Sequence, residues 1–171
     1  MYKYLSYVWL ALLLFVAQVF LLDNISIAMW LRPMLFPLIV LLLPMELRTV
    51  WVLFVALGVG LAMDLAVGGS GLYTASLLPL AMIRSTLLYA TTGRYVEHSD
   101  QTALLPRLAM RQLMLYVAVA MLLHHALFFF LETLSLVSLS TLLLRIFASA
   151  LLSTLIALPV TRLFIAKIAV K

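Results

Sequence analysis

Four titratable side chains lie inside apolar stretches of this chain: Asp64, His124, His125 and Glu132. Carboxylates and imidazoles serve as metal ligands and as general acids or bases, so a metal or catalytic site is the first hypothesis to weigh. The spacing argues against it, because the H-E-x-x-H motif is absent and adjacent histidines point about 100° apart on a helix. We therefore interpret the histidines as polar contacts between helices, and we assign no metal, no cofactor and no catalytic residue.

Asp64 is the most informative of the four, because apolar residues flank it and a glycine-rich break, residues 68–71, follows it. A charged residue at the bilayer centre costs about 2.5–3.5 kcal/mol on insertion scales, so something must compensate for it. One interpretation is a cap, in which the carboxylate accepts hydrogen bonds from the first two glycines of the break. A second is an ion pair, with a partner protein or with Arg32 on the same predicted side. A proton or solute relay is a third, for which Glu132 is the other outer acid.

Glycines surround this carboxylate. Gly60 lies four residues before Asp64 and therefore on the same helix face. In membranes small residues let helix backbones approach closely, so Gly60, together with Gly58, predicts a tightly packed third helix. Gly71 belongs to the turn that leads into the fourth helix.

Three polar residues outside that segment are also candidates for partner-binding or structural roles. Arg84 lies about two turns before the end of its helix, and we expect it to extend to the cytoplasmic headgroups. Arg145 lies inside a predicted span and is expected to pair with Glu132. Asn24 follows the first span and is expected to belong to a partner surface in the first outer loop.

The elements that position these residues are membrane helices. Hydrophobic residues make up 67% of the 171 residues and the mean hydropathy is +1.23, whereas soluble domains are about 45–50% apolar. Because a spanning helix needs about 20 apolar residues, the chain predicts a single all-α bundle without a soluble domain. The second span is short and contains three prolines, so a kink is expected there. The six predicted spans are 4–22, 31–45, 49–66, 72–91, 111–131 and 139–165.

The charge distribution predicts the orientation in the membrane. Of the eleven Lys and Arg residues, eight fall in segments that are cytoplasmic if both termini are inside, and Arg32 alone falls outside. Cytoplasmic loops are enriched in Lys and Arg, so both termini are predicted to be cytoplasmic. The net charge of +5 forms no basic run of the kind that binds nucleic acid. The absence of cysteine excludes disulfides and thiolate metal sites.

Within this layout, short motifs over residues 10–90 resemble the rod shape-determining protein MreD family, in its Bacteroidetes-like form. The family often has His where this chain has Tyr73, and Pro where it has Ser85. The resembling motifs are Asn24-Ile25 after the first span, Pro33 and Leu43-Pro44 in the second, G-x-G-L-x-x-D-L from Gly58 to Leu65, Gly71-Leu72, and Ile83-Arg84.

The resemblance implies a non-enzymatic scaffold of the bacterial inner membrane. The implied complex is the rod complex, or elongasome, which directs lateral peptidoglycan synthesis and so regulates cell shape. The implied direct partner is MreC, a protein with one span, and MreB, RodA and a class B penicillin-binding protein complete the complex. The family's fold is similar to the substrate-binding subunits of energy-coupling-factor vitamin transporters.

Two other classes of function compete with the scaffold. A solute-binding subunit of a small-molecule transporter would use the same fold, but it needs a cavity with several convergent polar groups. A membrane enzyme would need a paired acid and base, which the sequence does not offer. We therefore expect a scaffold whose span faces bind the MreC anchor within the lipid bilayer.

Overall fold

The computed structural model of the protein describes residues 2–23, 31–93, 105, 108–133 and 138–169, and within these ranges it contains helices and no strand. The predicted all-α class is therefore confirmed for this part of the chain. The helices are α1 (Tyr2–Val16, continued as a π-helix over Ala17–Leu22), α2 (Pro37–Leu41), α3 (Thr49–Val67), α4 (Leu72–Thr92), α5 (Met110–Glu132) and α6 (Leu139–Ala169).

Four of these helices are long and apolar enough to cross a membrane. They contain the stretches Leu5–Leu22, Thr49–Val67, Met110–Glu132 and Leu139–Lys167, which agree with the predicted first, third, fifth and sixth spans. The 21-residue α4 also has the length of a crossing, but its composition is more polar. The outward faces of the bundle carry large apolar side chains, such as Leu65 at 87% exposure, as expected for contact with lipid.

Helices α3 to α6 pack in chain order, each against the next. The short break 68–71 makes α3 and α4 an antiparallel hairpin. The start of α5 lies beside the end of α4, because Gln112 Nε2 donates to the carbonyl oxygen of Thr92 over 3.2 Å. The rings of Tyr7 in α1 and Phe164 in α6 meet edge to face at 5.3 Å, so the N-terminal part of α1 and the C-terminal part of α6 lie at one end of the bundle.

The segment predicted as the second span differs from that prediction. Residues 31–45 were expected to form a helix, whereas only the five residues Pro37–Leu41 are helical. Pro37 occupies the first helical position, where proline is favoured, and its missing N–H and its ring disfavour helix before it. Pro44 lacks the N–H that would continue the helix to the carbonyl of Val40. Prolines inside longer helices are tolerated here, as at Pro79 in α4. Every residue from Pro33 to Met45 is nevertheless buried. We refer to residues 33–45 as the central segment.

The central segment passes through the bundle from one end towards the other. Arg32, just before it, forms an ion pair with Glu132 at the last turn of α5. Leu41, near its end, accepts a 3.4 Å hydrogen bond from the hydroxyl of Tyr116 in the second turn of α5. Irregular backbone of this kind is tolerated at membrane depth only where protein surrounds it and satisfies its polar groups.

Candidate functional site

Polar side chains from α1, α4, α5 and α6 converge on the backbone of the central segment. Inside hydrocarbon no water is available to pair with a free N–H or carbonyl, so each unpaired group costs several kcal/mol. The helices pair their own backbone groups internally, whereas the central segment lacks helical pairing over most of its length. Buried polar side chains of the bundle are therefore needed to form hydrogen bonds with the backbone of this segment.

Gln18 bonds the start of the central segment from the π-helical turn of α1. Its Oε1 accepts from the N–H of Leu35 at 2.6 Å, and its Nε2 donates to the carbonyl of Pro33 at 3.1 Å. The same Nε2 also donates to Asp23 Oδ1 at 3.1 Å. Burial raises the pKa of the Asp23 carboxyl, while the Gln18 hydrogen bond and the charge of Arg32 partly oppose this shift. The π-helical turn thus presents one side chain to two backbone groups.

Ser149 and Ser153 bond the adjoining N–H groups from α6. Ser149 Oγ accepts from the N–H of Arg32 at 3.2 Å, and Ser153 Oγ accepts from the N–H of Met34 at 2.8 Å. The two serines are four residues apart and therefore lie on one face of α6. Together with Gln18, they satisfy neighbouring groups of a backbone that has no helix of its own there.

His125 completes the bonding of Ser153. Its Nδ1 lies 2.8 Å from the carbonyl of Met121, which can only accept, so Nδ1 carries the proton. Its Nε2 then accepts from the hydroxyl of Ser153 at 3.0 Å, while that hydroxyl accepts from the central segment. His124 has the opposite arrangement, because the hydroxyl of Ser76 in α4 donates to the carbonyl of Tyr73 at 3.1 Å and therefore accepts from His124 Nε2 at 3.2 Å. The interpretation of the two histidines as polar contacts between helices is confirmed.

Arg84 bonds the other end of the central segment. Its guanidinium donates from Nη1 to the carbonyls of Val40 and Leu43 at 2.9 and 3.1 Å, and from Nη2 to the carbonyl of Pro44 at 3.0 Å. These carbonyls lie at or just after the C-terminal end of α2, where the helix dipole favours a cation. Those of Val40 and Pro44 also accept from the N–H groups of Leu43 and Leu47 at 3.4 and 3.2 Å. The expectation that Arg84 extends to the headgroups is wrong, since the residue is 3% exposed.

Asp64 caps the start of α4 from the last turn of α3. Its Oδ1 accepts from the N–H of Tyr73 at 3.0 Å, and its Oδ2 accepts from the N–H and hydroxyl of Thr74 at 3.0 and 2.6 Å. The positive end of α4 thus compensates the carboxylate. The interpretation of Asp64 as a cap is therefore correct, but the expected partners are wrong. The N–H groups of Gly68 and Gly69 donate to the backbone carbonyl of Asp64 and not to its carboxylate.

The alternative interpretation, an ion pair between Asp64 and Arg32, does not apply. Arg32 bonds Glu132 at 3.0 Å, and the other oxygen of Glu132 accepts from Arg145 at 3.0 Å. The predicted pairing of Arg145 with Glu132 is therefore confirmed, and the Arg145 guanidinium also lies 4.7 Å from the ring centre of Phe129. Asn24, the remaining candidate, lies outside the described residues.

The candidate glycines play three different parts. A Cβ placed on Gly60 would lie 2.6 Å from Cα of Thr74, so its lack of a side chain permits the close approach of α3 and α4. Gly71 has a φ of +91° directly before α4, a conformation that other residues rarely adopt. Gly58 faces outward, and an added Cβ there would meet no atom within 4 Å. The predicted close packing thus applies to Gly60 and not to Gly58.

Sequence reasoning identified Arg84 of α4 but missed the residues of the other helices that form hydrogen bonds with the central segment and with Arg32 just before it. Gln18, Ser149, Ser153 and Tyr116 were not singled out, although each is a polar residue within an apolar helix. Such a residue needs a partner, and that requirement was the available signal. The missing information was that an irregular segment passes beside all of them.

The chemistry of this arrangement is structural. Among the described residues, the side chains that converge on the central segment bond its backbone N–H and carbonyl groups, and the histidines bond serines of neighbouring helices. Several buried side-chain atoms in this part of the chain have no hydrogen-bond partner, and they include the hydroxyl oxygen of Tyr73, Nδ1 of His124 and Oγ1 of Thr161. Comparison of the chain with protein-family models, with curated proteins and with solved structures finds no match.

Proposed function

We propose that this chain is a non-enzymatic inner-membrane scaffold of the rod complex, as its MreD-like motifs imply, and that it binds the span of an MreC-like protein. The observation that carries the choice of a scaffold is the use of the buried polar side chains. Gln18, Arg84, Ser149 and Ser153 all bond the protein's own backbone. Groups engaged in this way are not available for a substrate.

The filled interior supports a scaffold over the competing solute-binding subunit. A solute site needs a concave space with several polar groups directed into it. Here the central segment fills the middle of the bundle, and its side chains, such as Phe36 and Leu38, are fully buried. The unbonded hydroxyl of Tyr73 and Nδ1 of His124 do not open such a space, because the rings that carry them pack edge to face against the buried ring of Phe36.

The proposed topology has six crossings and both termini in the cytoplasm. The central segment would provide the second crossing, although it has only 13 residues. The seven residues from Phe36 to Leu42 have helical backbone angles and rise about 1.5 Å each, and the other six rise at most about 3.3 Å each, which allows a reach of up to about 30 Å, comparable to the hydrocarbon core of a bilayer. A partly extended chain of this length can therefore cross the hydrocarbon core, whereas a helix of 13 residues would be too short.

The exposed face of α3 is the surface that we propose for the MreC-like span. It carries Phe54, Leu57 and Leu61, which are 61%, 38% and 48% exposed. Gly58 lies among them and leaves room for the backbone of a second helix to approach, as small residues do at helix contacts in membranes. Beside it an apolar groove of about 670 Å³ runs between α3 and α4.

Co-purification tests this proposal. The tagged chain, expressed as the only copy in its own cells and extracted in mild detergent, should retain the MreC homologue. Gly58→Leu should reduce the retained MreC at least several-fold without lowering the melting temperature, because the new side chain enters open space. Ala166→Leu, an exposed substitution on α6, is the matched control and should retain the partner.

Two results would contradict the proposal. Failure of the unaltered chain to retain an MreC homologue would remove the scaffold function. Normal retention with Gly58→Leu would leave the scaffold function standing but exclude the α3 face as the binding surface.

A further inference from the structure

A groove between α1 and α6 differs from the apolar groove beside α3 in having a charged end. Its volume is about 290 Å³, at the lower end of the range for ligand clefts. On α1 it is lined at helical spacing by Ser6, Trp9 and Leu13, and on α6 by Val160 and Lys167. The groove is open to the surroundings, since Trp9 and Leu13 are 62% and 60% exposed.

The lining residues change from polar to apolar along the groove. The ring contact between Tyr7 and Phe164 fixes the register of the two helices, so Ser6 lies towards the level of Lys167 and Leu13 towards that of Val160. Lys167 belongs to the last turn of α6. Among the described residues that line the groove there is no carboxylate, so Lys167 has no anionic neighbour within that lining.

This order of groups matches an amphipathic anion. An ammonium and a hydroxyl at one end can bind a phosphate, while the apolar walls can bind an acyl chain beside it. A tryptophan near the polar end is typical of the level at which headgroups meet hydrocarbon. A transmembrane helix of a partner would match the apolar walls but would leave Lys167 without a counter-charge.

We propose that the groove between α1 and α6 binds one anionic phospholipid, with the phosphate beside Lys167 and Ser6 and an acyl chain along Leu13 and Val160. This site is independent of the proposed function, because it uses neither the α3 face nor the central segment. It lies at the end of the bundle that holds the start of α1 and the end of α6. Bound lipid would join two helices that are distant in the chain.

Trp9 provides the measurement. The chain has three tryptophans, so Trp30→Phe with Trp51→Phe leaves Trp9 as the only one. This protein is reconstituted into phosphatidylcholine vesicles that contain the same small fraction of brominated phosphatidylglycerol or of brominated phosphatidylcholine. Bromine quenches tryptophan on contact, so the two quenching curves give the relative affinity of the groove for the anionic lipid.

The expected preference for phosphatidylglycerol is about fivefold, which is the contribution of one cation close to anionic lipid. Lys167→Gln should reduce this preference to about one. Arg162→Gln is the matched control, because Arg162 is an exposed cation of the same helix that lies about 140° around the axis from Lys167. It should leave the preference unchanged.

Three outcomes would overturn the proposal. The first is equal quenching by the two lipids in the unaltered groove. The second is an equal loss of preference in Lys167→Gln and Arg162→Gln, which would indicate general attraction to the surface charge of the protein. The third is absence of quenching by either lipid, which would show that something other than lipid covers Trp9.

Discussion

Replacement of Arg84 tests whether one side chain holds the end of the central segment in place. Arg84→Met keeps the unbranched stem of the side chain as far as the position of Nε and removes the charge and every donor. The carbonyl of Leu43 then loses the donor that the structure shows for it, and those of Val40 and Pro44 keep only weaker backbone bonds, inside a space from which water is excluded. The segment should respond by opening, because leaving the interior is the route by which these carbonyls can find other donors.

The magnitude follows from the three hydrogen bonds. An unsatisfied buried polar group costs about 1–3 kcal/mol, so we take about 2 kcal/mol for the carbonyl of Leu43 and about 0.5 kcal/mol each for those of Val40 and Pro44, which keep backbone bonds. The resulting loss of about 3 kcal/mol corresponds to an opening that is about 100-fold more frequent. Arg84→Lys keeps the charge but not the planar fork, so its effect should be near tenfold.

The assay uses the fact that the chain has no cysteine. Leu42→Cys places a single thiol in the central segment at a position that is 1% exposed. Its rate of reaction with a maleimide in mild detergent reports how often the segment opens. Arg162→Met, measured in the same Leu42→Cys background, controls for the loss of a guanidinium at an exposed position.

The rates distinguish the possible results. Labelling should be slow in the parent and in the Arg162→Met variant, about tenfold faster with Arg84→Lys and about 100-fold faster with Arg84→Met. Labelling of Arg84→Met at a rate close to that of the parent would refute the reasoning. It would mean that the carbonyls are satisfied without the guanidinium and that Arg84 is not what retains the segment.

Two further predictions concern the α3–α4 hairpin, and both are checked by the melting temperature in detergent. Gly60→Ala should destabilise the protein by about 1–3 kcal/mol, because the added Cβ would overlap Thr74. Gly58→Ala should be neutral or stabilising, because alanine has the higher helix propensity and its Cβ enters open space. Equal melting temperatures for these two variants would contradict the close packing of α3 and α4 at Gly60. Asp64→Asn should cost about 1 kcal/mol and Asp64→Ala about 2 kcal/mol, because an amide has one acceptor oxygen for the N–H groups of Tyr73 and Thr74. An Asn variant as stable as the parent would show that one of those two bonds is dispensable.

Hydropathy predicted the long helices well because each of them satisfies its own backbone. Apolar length alone is then enough to place a helix, and the predicted 49–66 corresponds to the observed Thr49–Val67. The same reasoning failed at 31–45, where apolar residues are buried without being helical. An apolar composition indicates that a segment is buried but not that it is helical. Three prolines within twelve residues were the local signal against a continuous helix.

Contacts between residues close in the sequence were easier to predict than contacts between distant residues. The cap by Asp64 reaches Tyr73, nine residues away across a tight turn, and its nature was predictable from sequence. Arg84 bonds a carbonyl 44 residues away, and Arg32 bonds an acid 100 residues away. The sequence shows how far a charged residue lies from the end of its predicted helix. It does not show which residue that charge will bond, because this depends on which helices are neighbours. That information exists only in the packed bundle.

The irregular central segment also restricts where a partner can be recognised. Because Gln18, Arg84 and Ser153 are bonded to it, the interior has few polar groups left to offer, and recognition must use the outer apolar faces. Lipid is as apolar as those faces, so burial of apolar surface gives little preference for a partner span over lipid. Preference must then come from shape, which is why the open space at Gly58 is a more informative feature of the α3 face than its apolar side chains. A partner bound in this way should tolerate changes of ionic strength, whereas lipid held by Lys167 should be released more readily as salt screens the charge.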